Sequence, residues 1–494
     1  MKVALRQHEG LPGKGELEKI SNWIIVLPGD ISQGAIQKIP YGNVIGKRKS
    51  RLFKKPGNLS QYALDLPDKT ATHLVVGLVN KNTGSFDLLS FARKLVAAHA
   101  TYHPQEIGLL VHGYDKNTAE KVAEAVIAAQ LAASAIMPSF KARKDDKVRC
   151  GRINLFGVKA AHAFKRTFAE AEGNELARSL SMLPSNKLTP GEYLKKVRKL
   201  ARENGWNLKF YNTKTLEQKK AGAFLAVAQG SAVRDAGIVR LRYTPGGKRT
   251  QKKKLFLVGK GICYDTGGTN LKPANYMFGM HEDMQGSAVA LGTLLALTRM
   301  QVNFPVECWM ALAMNHIGPL AYKPNDVVTA SDGTTIEVVH TDAEGRMVLA
   351  DTLALASREK PDLIIDYATL TGACIYALGT AYSGVFSNIK DINQTLIGAG
   401  QACGERVWPF PMDEDYDKLI ESDIADVKQC SRESGVDHIL AARFLQRFVK
   451  NNVKWIHVDL SSSNRKGGLA HIPTETTGFG IRYSLQLLLD NKVL

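Results

Sequence analysis

The sequence predicts an α/β protein made of two α/β domains. Three observations predict it: strand-like and helix-like runs alternate through the first third, an Ala/Glu/Leu-rich helix over 167–183 is broken by Pro184-Ser185-Asn186, and the charge density changes across that helix. The boundaries that follow are a basic, non-catalytic N-terminal domain over 1–166, a linker helix over 167–183 and a C-terminal domain over 184–494. With 494 residues, 44% of them hydrophobic, each domain has enough chain for a sizeable core. The net charge is +18, and residues 1–166 hold 26 Lys+Arg against 13 Asp+Glu, so most of the basic excess belongs to the first domain.

In chain order, residues 22–28 (NWIIVLP) and 72–78 (THLVVGL) are short apolar runs stopped by Pro or Gly, the pattern of buried strands. Residues 90–100 and 118–136 carry apolar side chains at helical spacing, with Asn117 or Thr118 as cap of the second, and 106–113 (EIGLLVHG) is a strand between them. No catalytic constellation stands out here: His73, His99 and His112 read as structural or surface residues. The Gly42–Lys47 stretch is not a phosphate loop, because three residues separate its glycines where four are needed and Arg48 stands in place of Ser or Thr. After Pro184, Thr189-Pro190-Gly191-Glu192 opens a helix to about Asn204, with threonine as cap, proline at the first helical position and glutamate three residues past the cap. A strand over 207–211, another helix and a strand pair over 240–253 turned at Thr244-Pro-Gly-Gly lead to the apolar strand 255–258, which Gly259-Lys260-Gly261 ends. A helix over 287–299 and a β-like run over 334–339 follow, and a helix-like run comes after Arg346.

Composition excludes several classes. No 18-residue apolar segment is present, and the N-terminus is too charged and too broken by Gly and Pro for a secretory leader, so a cytoplasmic protein without membrane contact is expected. Six scattered cysteines without a CxxC pair indicate neither a disulfide framework nor a zinc ribbon; they read as small buried residues. The triplets at Asn58 and Asn393 carry no glycosylation meaning in such a chain. Two basic clusters, Lys47-Arg48-Lys49-Ser50-Arg51 with Lys54-Lys55, and Lys141, Arg143, Lys144, Lys147 and Arg149, could meet nucleic-acid phosphates or be solvated faces. A nucleic-acid-binding or scaffolding protein is therefore the alternative functional reading, although no reading motif accompanies the charge.

The chemistry-bearing residues lie further on. Lys260 follows an apolar strand, in the position from which α/β proteins address a ligand crevice. Asp265, the flexible Gly267-Gly268 pair, Lys272 and then Asp283 at a helix start come next, and Asp342-Ala343-Glu344-Gly345-Arg346 follows the β-like run. Gly259-x-Gly261 is not a dinucleotide fingerprint, since Tyr264 holds the third glycine position. Two divalent ions held close together need bridging carboxylates, and Asp265, Asp283, Asp342 and Glu344 supply four. A lysine beside them is either a nitrogen ligand, if stripped of its proton, or an ammonium stabilising charge on oxygen. A metallohydrolase is one reading; lysines and aspartates paired at loop ends on the surface is the other. If the backbone is extended over 342–346, Asp342, Glu344 and Arg346 face one side together.

Residues 258–273 (VGKGICYDTGGTNLKP), Asp283-Met-Gln-Gly, 341–346 (TDAEGR) and 366–373 (DYATLTGA) together resemble the leucyl aminopeptidase family of dinuclear metallopeptidases, strongly from about Pro184 onward and more weakly before it. The resemblance implies a C-terminal metallopeptidase domain with a mixed central sheet flanked by helices and carrying a dinuclear site. It assigns Lys260, Asp265, Asp283 and Glu344 to one metal and Asp265, Asp342 and Glu344 to the other. Lys272 becomes the electrophile and Arg346 the seat of a bicarbonate that shuttles protons. It further implies hydrolysis of the N-terminal residue from peptides with a free N-terminus, by a metal-bridged hydroxide. Zinc or manganese is favoured over magnesium or cobalt, and the assembly is a homo-hexamer, a dimer of trimers. Met280, Thr369, Leu370 and Gly372, with the segment after Asp459, would bind substrate, although Met280, Thr369 and Leu370 by spacing alone read as core. The chain departs from the family at Asp459-Leu460-Ser461-Ser462, which leaves the side-chain preference open. It departs again at His281, Glu282 and His340, neighbours of ligands without an assigned role.

Overall fold

The computed structural model describes residues 3–53, 57–142, 149–246, 251–433 and 435–494. Lys54, Lys55, Arg143, Lys144, Lys147 and the middle of the 240–253 pair lie outside the described residues. Two compact units form: one from Met1–Ala171 with Gly467–Glu475, the other from Glu172–Lys466 with Thr476–Leu494. The division falls within the helix Lys165–Ser181.

The first unit is built on a six-stranded sheet, Ala4–His8 (β1), Asn22–Pro28 (β2), Leu59–Asp65 (β3), His73–Val79 (β4), Glu106–Val111 (β5) and Arg152–Phe156 (β6), in the order β1-β6-β5-β2-β4-β3. Only β3 runs antiparallel to its neighbour. The continuous apolar runs of β2 and β4 are buried along their whole length, as parallel strands covered on both faces must be. Two expected helices start earlier than their apolar spacing suggests. One is Ser85–Ala97, and the other is Lys116–Ser134, capped by Asp115, whose carboxylate accepts from the Thr118 amide. Gly42–Leu52 is a helix, and it exposes Lys47, Arg48 and Arg51.

The second unit carries an eight-stranded mixed sheet: Asn207–Asn212 (β7), Gly237–Tyr243 (β8), Leu255–Asp265 (β9), Val306–Asn315 (β10), Leu363–Ala368 (β13), Ser383–Ser387 (β14), Val407–Pro409 (β15) and Lys454–Asp459 (β17). A small sheet of Val327–Thr329 (β11), Thr335–Glu337 (β12) and Val427–Lys428 (β16) stands beside it. In the large sheet the order is β15-β14-β17-β13-β9-β10-β8-β7, parallel through the central β17, β13, β9 and β10 and antiparallel at β8, β7 and between β14 and β17. Among the described residues, the strand pair expected over 240–253 is not seen. β8 pairs instead with β7 and β10, because its apolar residues are better buried inside the sheet than in a two-stranded ribbon.

The strand that carries Lys260 corrects a second expectation. β9 does not stop at Gly259 but continues to Asp265, pairing with β10 on one side and β13 on the other. Phe256, Val258 and Ile262 share a core with the helix Glu344–Ser357, and Gly259 and Gly261 face the helix Gln285–Met300. A Cβ at Gly259 would lie 2.4 Å from Ser287 Cα, so the glycines admit a close helix rather than end a strand.

Candidate metal centre

Four of the five expected metal-binding residues begin from secondary structure whose own packing fixes them. Lys260 and Asp265 leave β9, Asp283 closes a short turn before the helix Gln285–Met300, and Glu344 is the first residue of the helix Glu344–Ser357. Asp283 and Glu344 therefore stand at helix N-termini, where the helix dipole favours a carboxylate. Asp342 sits in the turn before Ala343.

The site brings all five together. Lys260 Nζ lies 2.7 Å from Asp283 Oδ1, 2.9 Å from Glu344 Oε1 and 2.9 Å from the Thr369 carbonyl, to which it donates. Lys272 Nζ lies 3.0 Å from Asp265 Oδ2 and 2.5 Å from Asp342 Oδ1. Single carboxylate oxygens of Asp265, Asp342 and Glu344 all lie within 4.8 Å of one another. The alternative of lysines and aspartates paired on the surface is excluded by burial, since Lys260 is 3% exposed, Asp265 2% and Glu344 1%.

The charges show what the site can hold. Burial pushes Asp283 well above the usual carboxylate range; Lys260 opposes this, and Glu344 and Asp265 add to it. Asp342 is pushed up to about 7, by burial first and then by Asp265 and Glu344, with Lys272 pulling the other way. Both lysines hold their protons more tightly than usual: burial opposes the charge, but the carboxylates around each outweigh it. Buried Asp283 Oδ2 and Glu344 Oε2 have no hydrogen-bond partner. Crowded, under-satisfied carboxylates with one amine fit hard or borderline divalent cations.

The extended reading of 342–346 is overturned. Residues 347–355 are apolar at helical spacing, and the helix they form reaches back to Glu344. Glu344 and Arg346 are thus separated by roughly 200° around a helix instead of sharing a strand face. Arg346 points elsewhere: it is buried, its Nη2 lies 2.7 Å from Asp437 Oδ2, its Nη1 donates to the Gln429 carbonyl at 3.2 Å, and its Nε has no partner.

Of the expected substrate residues, Met280, Thr369 and Leu370 are half-buried and Gly372 is exposed; Leu370 packs against the main core of the second unit. Thr369 donates to Asp283 Oδ1 at 2.7 Å. Leu370 and Thr371 are held from behind by buried Asp459, which accepts from both amides and from the Thr371 hydroxyl. Ser461 and Ser462 are buried; their hydroxyls bond to the Tyr382 carbonyl and to Ser383. Glu282 ties Asn464 and Thr476 to the turn before Asp283. His340 is exposed, and its Nδ1 accepts from the Asp342 amide at 3.3 Å.

Three supports escaped the sequence reading. Asn315 donates to Asp265 Oδ1 at 2.8 Å. Gln429 accepts from the Val339 and His340 amides and donates to the Ala343 carbonyl, clamping the turn that presents Asp342. Asp437 pairs with Arg346. Only Asp437 had a local signal, an acid opening an apolar helix, and that pattern also describes an ordinary helix start.

The sequence pattern of the cytosol aminopeptidase family, catalytic domain, matches residues 175–485. A probable cytosol aminopeptidase of Wolbachia pipientis wMel is 40% identical over 370 residues, 72% of this chain and 73% of that one. Another, from Prochlorococcus marinus strain AS9601, is 36% identical over 433 residues, 85% of this chain and 86% of its own. Among solved structures, the bottromycin maturation enzyme BotP in complex with Mn superposes with a TM-score of 0.80 at 29% identity, covering 95% of this chain and 99% of that one. A mutant of tomato leucine aminopeptidase superposes at 0.85 over 99% of this chain and 97% of its own; at 24% identity it attests the fold.

Proposed function

The chain belongs to the cytosol aminopeptidase family and is a metal-dependent aminopeptidase; from that premise we propose that it releases the N-terminal residue of peptides with a free amine, with Lys272 as electrophile. The observation that carries this reading is the buried cluster of Asp265, Asp342 and Glu344 oxygens, flanked by Lys260 and Lys272. Lys260, Asp265, Asp283 and Glu344 would hold one divalent cation and Asp265, Asp342 and Glu344 a second. Zinc and manganese are the first candidates, then magnesium and cobalt. When bound, the pair would supply a deprotonated water and polarise the scissile carbonyl.

The chain's own groups do the rest. For Lys260 to act as a nitrogen donor it must give up its proton, and neighbouring dications favour that loss. Lys272 keeps its ammonium and donates to the oxygen on which charge develops as the carbonyl is attacked. Asn315 and Gly267 orient Asp265 from behind. Met280, Thr369, Leu370 and Gly372 form the substrate wall, and Asp459 stiffens it. The bicarbonate expected on Arg346 fits less well, because Asp437 already pairs with that guanidinium; no step is assigned to it. A cytoplasmic homo-hexamer completes the proposal. Among the described residues, no helix is long and apolar enough to cross a membrane.

The test is a panel of unblocked dipeptides and aminoacyl-amides with zinc, manganese, cobalt and magnesium. Release of the first residue should require metal and an unblocked amine. Full activity in chelator-treated, metal-free protein, or equal cleavage of acetylated peptides, would refute the proposal. Sedimentation velocity checks the hexamer.

A further inference from the structure

Arg346 is a buried guanidinium with a carboxylate already in its grip. Asp437 Oδ2 lies 2.7 Å from Nη2, and the Gln429 carbonyl holds Nη1 at 3.2 Å. The two charged residues come from the starts of different helices, Glu344–Ser357 and Asp437–Gln446, so each is fixed by its own element. Burial alone would raise the Asp437 pKa, yet Arg346 holds it below the ordinary carboxylate value, so the pair is ionic. The Asp437 side chain is 38% exposed, which leaves part of the carboxylate open to solvent while the guanidinium is closed off. Gln429 joins the pair to the turn that presents Asp342: its carbonyl accepts from Arg346, while its side chain accepts from the His340 amide and donates to the Ala343 carbonyl.

A bicarbonate seated on Arg346 would present the same planar O–C–O group and the same charge that Asp437 presents. A second anion there would meet the like charge of Asp437 at short range, on a guanidinium whose charge is already balanced. We propose that Asp437 is the resident counter-anion of Arg346, a positioning residue that takes the place of a diffusible bicarbonate and makes the enzyme independent of it. The inference rests on the aminopeptidase reading only for its kinetic test.

That test compares the metal-loaded wild type with Asp437→Gly and Asp437→Asn in carbonate-depleted buffer, with and without added bicarbonate or formate. The wild type should be indifferent to either anion. Asp437→Gly should lose roughly tenfold or more in kcat/KM and regain most of it with bicarbonate or formate. Asp437→Asn, which keeps the shape and fills the seat without charge, should lose activity and not regain it. A second readout needs no substrate: bicarbonate should raise the melting temperature of Asp437→Gly and leave that of the wild type unchanged. Stimulation of the wild type by bicarbonate, an equal melting shift in both proteins, or full activity of Asp437→Gly without added anion overturns the proposal. If the wild type cleaves no peptide, the aminopeptidase reading falls, and the melting comparison still decides the anion question.

Discussion

Lys272 and Lys260 are both buried ammoniums among carboxylates, but their surroundings give them different work. Lys260 is bound on three sides by Asp283, Glu344 and the Thr369 carbonyl, which is the setting of a structural or ligating amine. Lys272 reaches Asp265 and Asp342 from a loop and is 14% exposed, so it can turn toward a substrate oxygen. Replacement Lys272→Met should therefore lower kcat by roughly 10²–10³-fold with bound metal unchanged, as for loss of one donor to a developing oxyanion. Steady-state kinetics and metal analysis of the same preparation check it; a raised KM with kcat intact would assign Lys272 to ground-state binding instead. At Glu344, a bridging role predicts that Glu344→Ala loses both activity and bound metal, measured by the same two assays.

The elements hold these residues by close approach more than by hydrogen bonding alone. β9 is pressed between the helices Gln285–Met300 and Glu344–Ser357, and the fit depends on small residues: a Cβ on Gly259 would meet Ser287 backbone, and one on Gly345 would meet the Lys260 side chain at 2.7 Å. Backbone cannot yield as a flexible side chain can. Gly259→Ala should therefore destabilise the protein by about 1–3 kcal/mol or more, read as a lower urea midpoint, and shift Lys260 with it. Gly345→Ala pushes on Lys260 directly, so its larger effect should be on metal affinity, measured by competition with a chelator. The same packing accounts for a misread boundary. Gly259-Lys260-Gly261 has the composition of a turn, and only the neighbouring helix shows why glycines belong in the middle of a strand.

Across the whole molecule the two units answer to different forces, and acid should find the first of them through His99. That imidazole is 2% exposed, packs edge-on against His73, and its Nε2 has no partner. Burial, with His73 adding to it, lowers its pKa from the ordinary 6.5 to about 4. The folded state thus binds fewer protons than the unfolded chain between these values. Its contribution is fully present above pH 6.5 and is lost as pH falls through about 4, at most about 3 kcal/mol. Urea midpoints at neutral pH and near pH 5 should diverge more for the wild type than for His99→Gln, and equal divergence would remove His99 from the account.

Much of this protein was legible in its residues. Continuous apolar runs marked β2, β4 and β5 as buried strands, Thr189 with Pro190 marked a helix start, and ordered motifs identified Lys260, Asp265, Lys272, Asp283, Asp342 and Glu344 as candidates for one site. These signals are local or are carried by residue identity along the chain. What sequence could not decide were contacts between distant positions. Arg346 and Asp437 are 91 residues apart, Asp459 and Thr371 are 88, and Gln429 and Ala343 are 86. Even the bend at Asp342–Arg346 belongs there, since alternate charges suit a strand until a helix claims Glu344 to bury the apolar face behind it. Local propensity acts over a few residues, whereas burial of charge is resolved only when tertiary packing brings a partner. The chain's own sequence determined which groups are available for chemistry; the fold decided that Arg346 would meet an aspartate.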